Sequence, residues 1–369
     1  MPPLPFTKEE VLATGVIDPE LEAALKAKPI PPGSAYTLEQ LKEINEVALP
    51  WHQERLMQSK PANITEYERQ LPVGGGHTAR LIVCQRSSPS KAANRPLVVL
   101  LHGGGHCVGN PESEVPLARR LALELDAVVV LPTYRLAPEF PFPASINDSW
   151  NIVQHLAAEA DPSRSIKSRI LPSQCDPRLG FIVGGTSAGA NLAASITHLA
   201  RDSNLTPCLT GQMLIAGTFI SPQHVPIQYS PFYLARDQNK NAPILDLDLY
   251  NLFQTAFKPD HMSPLWAIFD QRHPLDANTE DGGSTGVRHG HLNLPPAYFQ
   301  ICGLDIGRDD SLIYERVLRE ESNVSTRADL YPGFSHCWWS LFPELGMSKR
   351  REDDAVRGVA WLLSTPSVR

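Results

Sequence analysis

Cysteine is sparse: six residues in a chain of 369 (Cys84, Cys107, Cys175, Cys208, Cys302 and Cys337), with no C-x-x-C pair and no Cys/His spacing of the kind that binds zinc. A disulfide framework and a zinc module are thereby excluded, and the cysteines read as reduced, mostly buried thiols. Long apolar runs are missing as well. Nothing approaches the roughly 18 residues that a membrane span requires, and the opening MPPLPFTKEEVLATGVIDPE has no cationic segment followed by an apolar one. The expectation is a soluble cytoplasmic chain, in which the Asn-x-Ser/Thr triplets at Asn63, Asn147, Asn204 and Asn323 are chance matches. Positive charge is also in deficit. With 33 Lys and Arg against 40 Asp and Glu, the net charge is −7, so the broad basic face that holds nucleic acid through its phosphates is not expected. A small-molecule partner remains.

What is present is enough apolar material, 42% of residues, for one large core with a smaller appendage. Residues 1 to about 60 read as helical and peripheral. Thr37 and Gln40 form a capping box, and Leu38, Leu41, Ile44, Ala48 and Trp51 recur at helical spacing, so this segment is expected to lie over something. From residue 61 the pattern changes to strands: ITEYERQLPV, ARLIVC, PLVVLL, AVVVLP (Ala127 to Pro132), LGFIVGG (Leu179 to Gly185), MLIAG (Met213 to Gly217), AYFQICG (Ala297 to Gly303) and RADLY (Arg327 to Tyr331). Most of the later ones are continuous hydrophobic runs alternating with helical segments such as SEVPLARRLALEL. That pattern predicts an α/β fold, a mostly parallel sheet covered by helices on both faces. The stretch from about 220 to 262 breaks the rhythm and reads as an insertion above the strand ends. Another irregular run, Ala277 to Asn293, reads as an exposed loop whose His289 and His291 are solvated rather than metal-bound.

The chemistry concentrates in three places. FIVGGTSAGANLAAS holds Gly185-Thr186-Ser187-Ala188-Gly189, a G-x-S-x-G pattern that follows a buried strand and opens an Ala-rich helix. Alone the pentapeptide is a weak signal; in that setting it reads as a nucleophile elbow rather than an ordinary βα turn with a capping serine. A serine hydroxyl needs a base to take its proton, usually a histidine held by a carboxylate. After AYFQICG the chain has a single histidine, His336, shortly past the last strand. Asp305 leaves the end of the preceding strand and is the candidate acid. Asp309 and Asp310 lie where a helix begins, and read as carboxylates favoured by its dipole.

The third place is VVLLHGGGHCVG, Val98 to Gly109, where a strand runs into three consecutive glycines. It matches neither a phosphate loop nor a dinucleotide loop. Main-chain N–H groups that must approach a developing oxyanion do call for such a sequence. Gly104 and Gly105, with Ala188, are the candidate donors, and His102 is expected to brace the loop.

Together, HGGG at His102 to Gly105, YRLAPEFPFPASINDSW at Tyr134 to Trp150, GTSAGANLA at Gly185 to Ala193 and the spaced Asp305 and His336 resemble the hormone-sensitive-lipase-type carboxylesterases of the α/β hydrolases, over roughly residues 65 to 365. The resemblance implies an α/β-hydrolase fold with an eight-stranded, mostly parallel sheet and a triad of Ser187, Asp305 and His336. It also implies a helical cap made of residues 1–60 and the 220–262 insertion on a catalytic domain spanning 61–369. Three departures stand out: His106 replaces the usual aromatic after the third glycine and becomes a candidate substrate contact or a structural residue. LDIGRDD replaces a segment with Pro-Leu after the aspartate, and GFSHCWW replaces His-Gly-Phe.

The reading that follows is two-step hydrolysis of a hydrophobic ester of small to medium size, without cofactor or metal. Acyl transfer, lactone or amide cleavage, and elimination would use the same residues. A non-catalytic receptor is the alternative of another class, since the family includes a plant hormone receptor that lacks the triad histidine; here His336 is present. The last strand, if it lies at a sheet edge, could pair with a second copy to give a homodimer.

Overall fold

The computed structural model describes residues 4–5, 7–88, 94–161, 169–269 and 290–366. Three helices, α1 (Lys8–Ala13), α2 (Pro19–Ala27) and α3 (Leu38–Gln58), precede the sheet. The order thereafter is β1 (Ile64–Gly74), β2 (His77–Arg86), β3 (Leu97–Leu101), α4 (Val115–Leu125), β4 (Val128–Pro132), α5 (Ala144–Ala158), β5 (Phe181–Thr186), α6 (Ala188–Asp202) and β6 (Gly211–Ile215). Then come α7 (Ala235–Gln238), α8 (Leu247–Phe257), β7 (Ala297–Leu304), α9 (Arg308–Arg316), β8 (Thr326–Ser335) and α10 (Gly346–Ser364). The eight strands form one sheet in the order β1-β2-β4-β3-β5-β6-β7-β8, in which β2 runs antiparallel to both its neighbours and every other pairing is parallel.

β3, β4, β5 and β6 are buried along their whole length, which is why they read as unbroken aliphatic runs rather than alternating ones. Two core clusters sandwich the sheet. One joins Val99, Leu101 and Val183 to α5, α6 and α9; the other joins Val98, Leu100 and Ile182 to α4 and α10. β6 ends two residues before the predicted MLIAG strand does, because Ala216 takes a left-handed backbone (φ 48°) that no strand can continue through.

The first 60 residues divide in two. α1 and α2 brace the far end of the sheet: Gly333 N–H donates to Thr14 O (2.7 Å), Asp18 N–H donates to Gly333 O (3.1 Å), and Leu21 is fully buried in the core cluster that contains Phe334, Trp338 and Phe342. α3 is preceded by a short 3-10 turn (Gly33–Ala35) tied to the insertion, with Gly33 N–H donating to Asp246 Oδ2 at 2.7 Å. The Thr37/Gln40 capping box forms as predicted. The apolar face does not behave as the spacing suggested. Leu38 is buried, but Ile44 and Trp51 are 52% and 60% exposed. The helix is rotated so that Asn45, His52 and Arg55 meet the central cavity, and that rotation carries Ile44, Val47 and Trp51 round to solvent, where the Arg55 guanidinium lies over the Trp51 ring at 4.7 Å.

Asp309 and Asp310 do open a helix, α9, yet dipole stabilisation is a small part of their role because both are buried. Asp309 Oδ2 accepts N–H groups from Leu234 (2.5 Å) and Ala235 (2.6 Å), while its Oδ1 pairs with Arg308 Nε at 2.6 Å. Asp310 accepts from Ile220 N–H, Tyr233 Oη–H and Arg236, and burial raises its pKa to about 7 despite that guanidinium. The two carboxylates therefore fasten the 220–262 insertion to the sheet. Asp309→Ala would strand Arg308, fully buried, without its closest counter-charge. We expect a loss of about 3 kcal/mol of unfolding free energy, read from urea denaturation midpoints.

Among the described residues no helix is long and apolar enough to cross a membrane.

Candidate active site

The sheet brings four loops to its C-terminal edge, and each delivers one part of a common site. β5 ends at Thr186 and α6 begins at Ala188, leaving Ser187 alone between them at φ 57°, ψ −118°. A non-glycine residue in that region is strained, and the strain is held by Ser187 N–H donating to Ile215 O (2.8 Å) and by Ser187 O accepting from Ala190 and Asn191. Gly189 permits the turn: a Cβ there would lie 1.9 Å from Leu101 O, so α6 could not start so close to the end of β3.

His336 follows β8. Its Nε2 is 2.8 Å from Ser187 Oγ and its Nδ1 is 2.7 Å from Asp305 Oδ2. Asp305, one residue beyond β7 and 1% exposed, is itself fixed, since Oδ1 accepts from Gly307 N–H at 2.9 Å and its backbone O accepts from the Asn239 side chain at 2.8 Å. A carboxylate facing Nδ1 requires that nitrogen to carry the proton, so in the neutral ring Nε2 presents its lone pair to the Ser187 hydroxyl. Burial disfavours the imidazolium, but the Asp305 charge more than offsets it and holds the His336 pKa well above its ordinary value.

The loop after β3 supplies the fourth part. Gly104 has φ 117°, and a Cβ on it would fall 2.0 Å from Val108 O, so only glycine makes this turn. No described group accepts a hydrogen bond from the N–H of Gly104, Gly105 or Ala188. For Ala188 this follows from its place in the first turn of α6. His102 does brace the loop: its ring stacks on Tyr134 at 4.2 Å, its Nδ1–H donates to Gly103 O at 2.7 Å, and burial lowers its pKa to about 4. His106 is buried, stacked on Phe257 at 4.0 Å and 3.3 Å from Ser145 Oγ, and burial drives its pKa down to about 3. It is a neutral aromatic wall of the cavity, filling the place of the aromatic residue it replaces. The Tyr134-to-Trp150 segment stiffens this wall through Arg135, which grips both carboxylate oxygens of Asp148 (2.8 and 2.6 Å).

A cavity of about 780 Å³ opens over Ser187, a size suited to a small or medium organic ligand. Part of the lining is apolar, from Leu245, Leu249 and Phe253 of the 220–262 segment with Trp266; another part, from the end of α3, the start of α4 and α10, includes Glu114, Trp339, Arg351 and Glu352. Arg351 and Glu114 escaped the sequence reading. Arg351 sits in SKRREDD, a charge run of the kind that usually marks a solvated helix face, and nothing local sets it apart.

Among the described residues no group of three or more His, Cys, Asp or Glu could hold a metal. His289, with most of the 277–293 loop, lies outside the described residues. His291 is not solvated as expected. It is 8% exposed, its Nδ1 is 3.0 Å from His198 Nε2, and its ring packs on Phe269 and Tyr314. Since His198 Nδ1–H must donate to Ala194 O (2.8 Å), His198 Nε2 accepts from His291; burial keeps both rings neutral.

Comparison with known proteins bears on what such a site does. A family model described as the alpha/beta hydrolase fold matches residues 98–340. An AB hydrolase superfamily protein of Schizosaccharomyces pombe is 29% identical, covering 99% of this chain and 98% of that protein. Carboxylesterase NlhH of Mycobacterium tuberculosis is 32% identical over 66% of this chain and 68% of its own. Among solved structures, a vibralactone cyclase superposes with a TM-score of 0.79 at 27% identity, covering 95% of this chain and 96% of that one.

Proposed function

The chain belongs to the hormone-sensitive-lipase-type carboxylesterases of the α/β hydrolases and is an ester-hydrolysing enzyme, and from that premise we propose that it is a serine carboxylesterase in which Ser187, His336 and Asp305 carry a two-step acyl transfer. Ser187 Oγ attacks the ester carbonyl while His336 Nε2 takes its proton. The carbonyl oxygen becomes negative within reach of the N–H groups of Gly104, Gly105 and Ala188. His336 then gives the proton to the departing alcohol, and the acyl group stays on Ser187 until water, deprotonated by the same nitrogen, releases it as the acid. Asp305 holds the ring in the required tautomer and stabilises the imidazolium. The observation that carries this reading is the unbroken chain of hydrogen bonds from Ser187 Oγ through His336 to Asp305, at 2.8 and 2.7 Å. No metal or cofactor is needed for it.

The substrate class we propose is a hydrophobic carboxylic ester of small to medium size, seated under a cap formed within residues 1–60 by α3 and within 220–262 by α8, on a catalytic domain of residues 61–369. The apolar part of the lining and the volume of the cavity support this. A second reading is favoured by the likeness to the vibralactone cyclase: a hydroxyl of the substrate itself resolves the acyl-enzyme in place of water and closes a lactone. Both readings require a nucleophilic Ser187. An organophosphonate probe is expected to label the protein stoichiometrically on Ser187, located by peptide mass spectrometry, and to abolish turnover of p-nitrophenyl butanoate. Labelling elsewhere, or labelling that leaves turnover intact, contradicts the proposal.

A further inference from the structure

The polar part of the cavity lining contains a charge without an ion-pair contact. Arg351, on α10, is 4% exposed and lines the cavity that opens over Ser187. Its Nε is buried with no acceptor, and no described carboxylate lies within ion-pair distance of its guanidinium. The contact it does make is with an aromatic face, the guanidinium carbon lying 4.1 Å from the centre of the Trp339 ring. Trp339 lines the same cavity. A guanidinium stays charged at any working pH, and a charge withdrawn from water persists in a fold at a cost of several kcal/mol unless something pairs with it. Stacking on Trp339 recovers a small part of that and fixes the plane of the fork.

Coulombic attraction to Glu114 does not resolve the deficit. Glu114, at the start of α4 and also buried against the cavity, is not in ion-pair contact with Arg351. Burial pushes its carboxyl up toward the neutral form, with Arg351 and the Thr186 and Ser113 hydroxyls opposing. Glu352, the next residue, also lines the cavity, but its carboxylate is engaged by Arg120 at 3.8 Å rather than by Arg351. The missing partner is therefore one that enters the cavity.

We infer that Arg351 is a specificity-determining residue that binds a carboxylate carried by the substrate, so that the ester turned over here is anionic at one end and apolar at the other. The inference rests on the esterase reading above and narrows its substrate class. The apolar part lies against Leu249, Phe253 and Trp266, the scissile carbonyl at Ser187, and the carboxylate against Arg351 over the Trp339 ring. A carboxylate accepts two parallel N–H bonds from a guanidinium, and the pre-stacked fork offers them without a further loss of side-chain freedom.

The test compares charged and neutral esters of equal length. Monoethyl succinate, glutarate and adipate are set against ethyl butanoate, pentanoate and hexanoate to place the charge on the acyl side, and 3-acetoxybenzoate against phenyl acetate to place it on the alcohol side, with kcat/KM followed by pH-stat. In one of the two series the carboxylated ester is expected to be preferred. Arg351→Met should lower that charged-to-neutral ratio by about 10- to 100-fold, the size of a lost charged hydrogen bond, mainly through KM. Arg351→Lys should retain part of the preference. A merely structural arginine would depress both esters alike and leave the ratio unchanged, and that result overturns the inference, as does the absence of any preference in both series. Should Arg351→Met fail to fold, the ratio in Arg351→Lys decides. Failure of every ester to turn over would count against the esterase reading. The inference is then decided by calorimetric binding of the same monoesters to the Ser187→Ala protein: binding tighter than that of the neutral ester and lost on adding Arg351→Met supports it, and binding no tighter overturns it.

Discussion

Ser187→Ala is expected to reduce kcat on p-nitrophenyl butanoate by about 10⁴- to 10⁶-fold while leaving the fold and substrate binding in place. The size follows from what is removed. In the proposed mechanism there is no covalent route without Oγ, and what remains is the cavity and a set of main-chain donors that can still stabilise a tetrahedral intermediate formed by water. The fold should tolerate the change because the strain at φ 57° is borne by the backbone hydrogen bond to Ile215 O and by the close passage of Gly189 past β3, none of which involves Oγ. Single-turnover kinetics, with circular dichroism as a check on folding, would measure it. A loss of less than about tenfold would mean that the nucleophile lies elsewhere.

The parts of this site that were legible in the sequence are those whose meaning is local. G-T-S-A-G between an aliphatic strand and an Ala-rich helix declares a sharp turn whether or not the rest of the protein is known, and the HGGG loop declares a backbone that must pass close to something. His336 and Asp305 were legible by position, as the lone late histidine and the first acid past a strand end. The structure brings all three side chains together. All eight strands were visible too, the four central ones most plainly because burial on both faces forces aliphatic runs.

What was illegible depends on contacts between distant segments. The spacing of Leu38, Ile44 and Trp51 identified a helix, but not which face would meet the cavity, since that is set by the link from Gly33 to Asp246 some two hundred residues away. Asp309 and Asp310 fit the rule for helix starts, and the rule hid their burial beneath the insertion. Arg351 went unnoticed and His291 was expected to be solvated for the same reason: a charge run and a Gly-rich loop are usually wet, and here each delivers one side chain to the interior. The common feature is that composition predicts average exposure, whereas a binding site is assembled from exceptions to it.

Asp305→Asn is expected to lower kcat by about 10³- to 10⁴-fold, although the substitution changes one atom. In the native site Asp305 Oδ1 is held by Gly307 N–H and Oδ2 faces His336 Nδ1. An asparagine satisfies Gly307 with its carbonyl oxygen, which turns its NH₂ toward Nδ1. The imidazole can accept that bond only by moving its own proton to Nε2, and Nε2–H then points at Ser187 Oγ, donating where it should accept. The base is present but in the wrong tautomer. The same substitution should shift the acid limb of the pH profile in a defined direction. Burial alone lowers the His336 pKa and the Asp305 charge raises it, with the second winning. Because the neutral ring is the active form in the proposed mechanism, kcat/KM of the native enzyme should rise with pH through an inflection above the ordinary histidine value. With the charge removed, burial loses its main opponent, and the inflection of the residual activity should move to lower pH. A low rate with an unmoved inflection would instead assign the titration to a group other than His336.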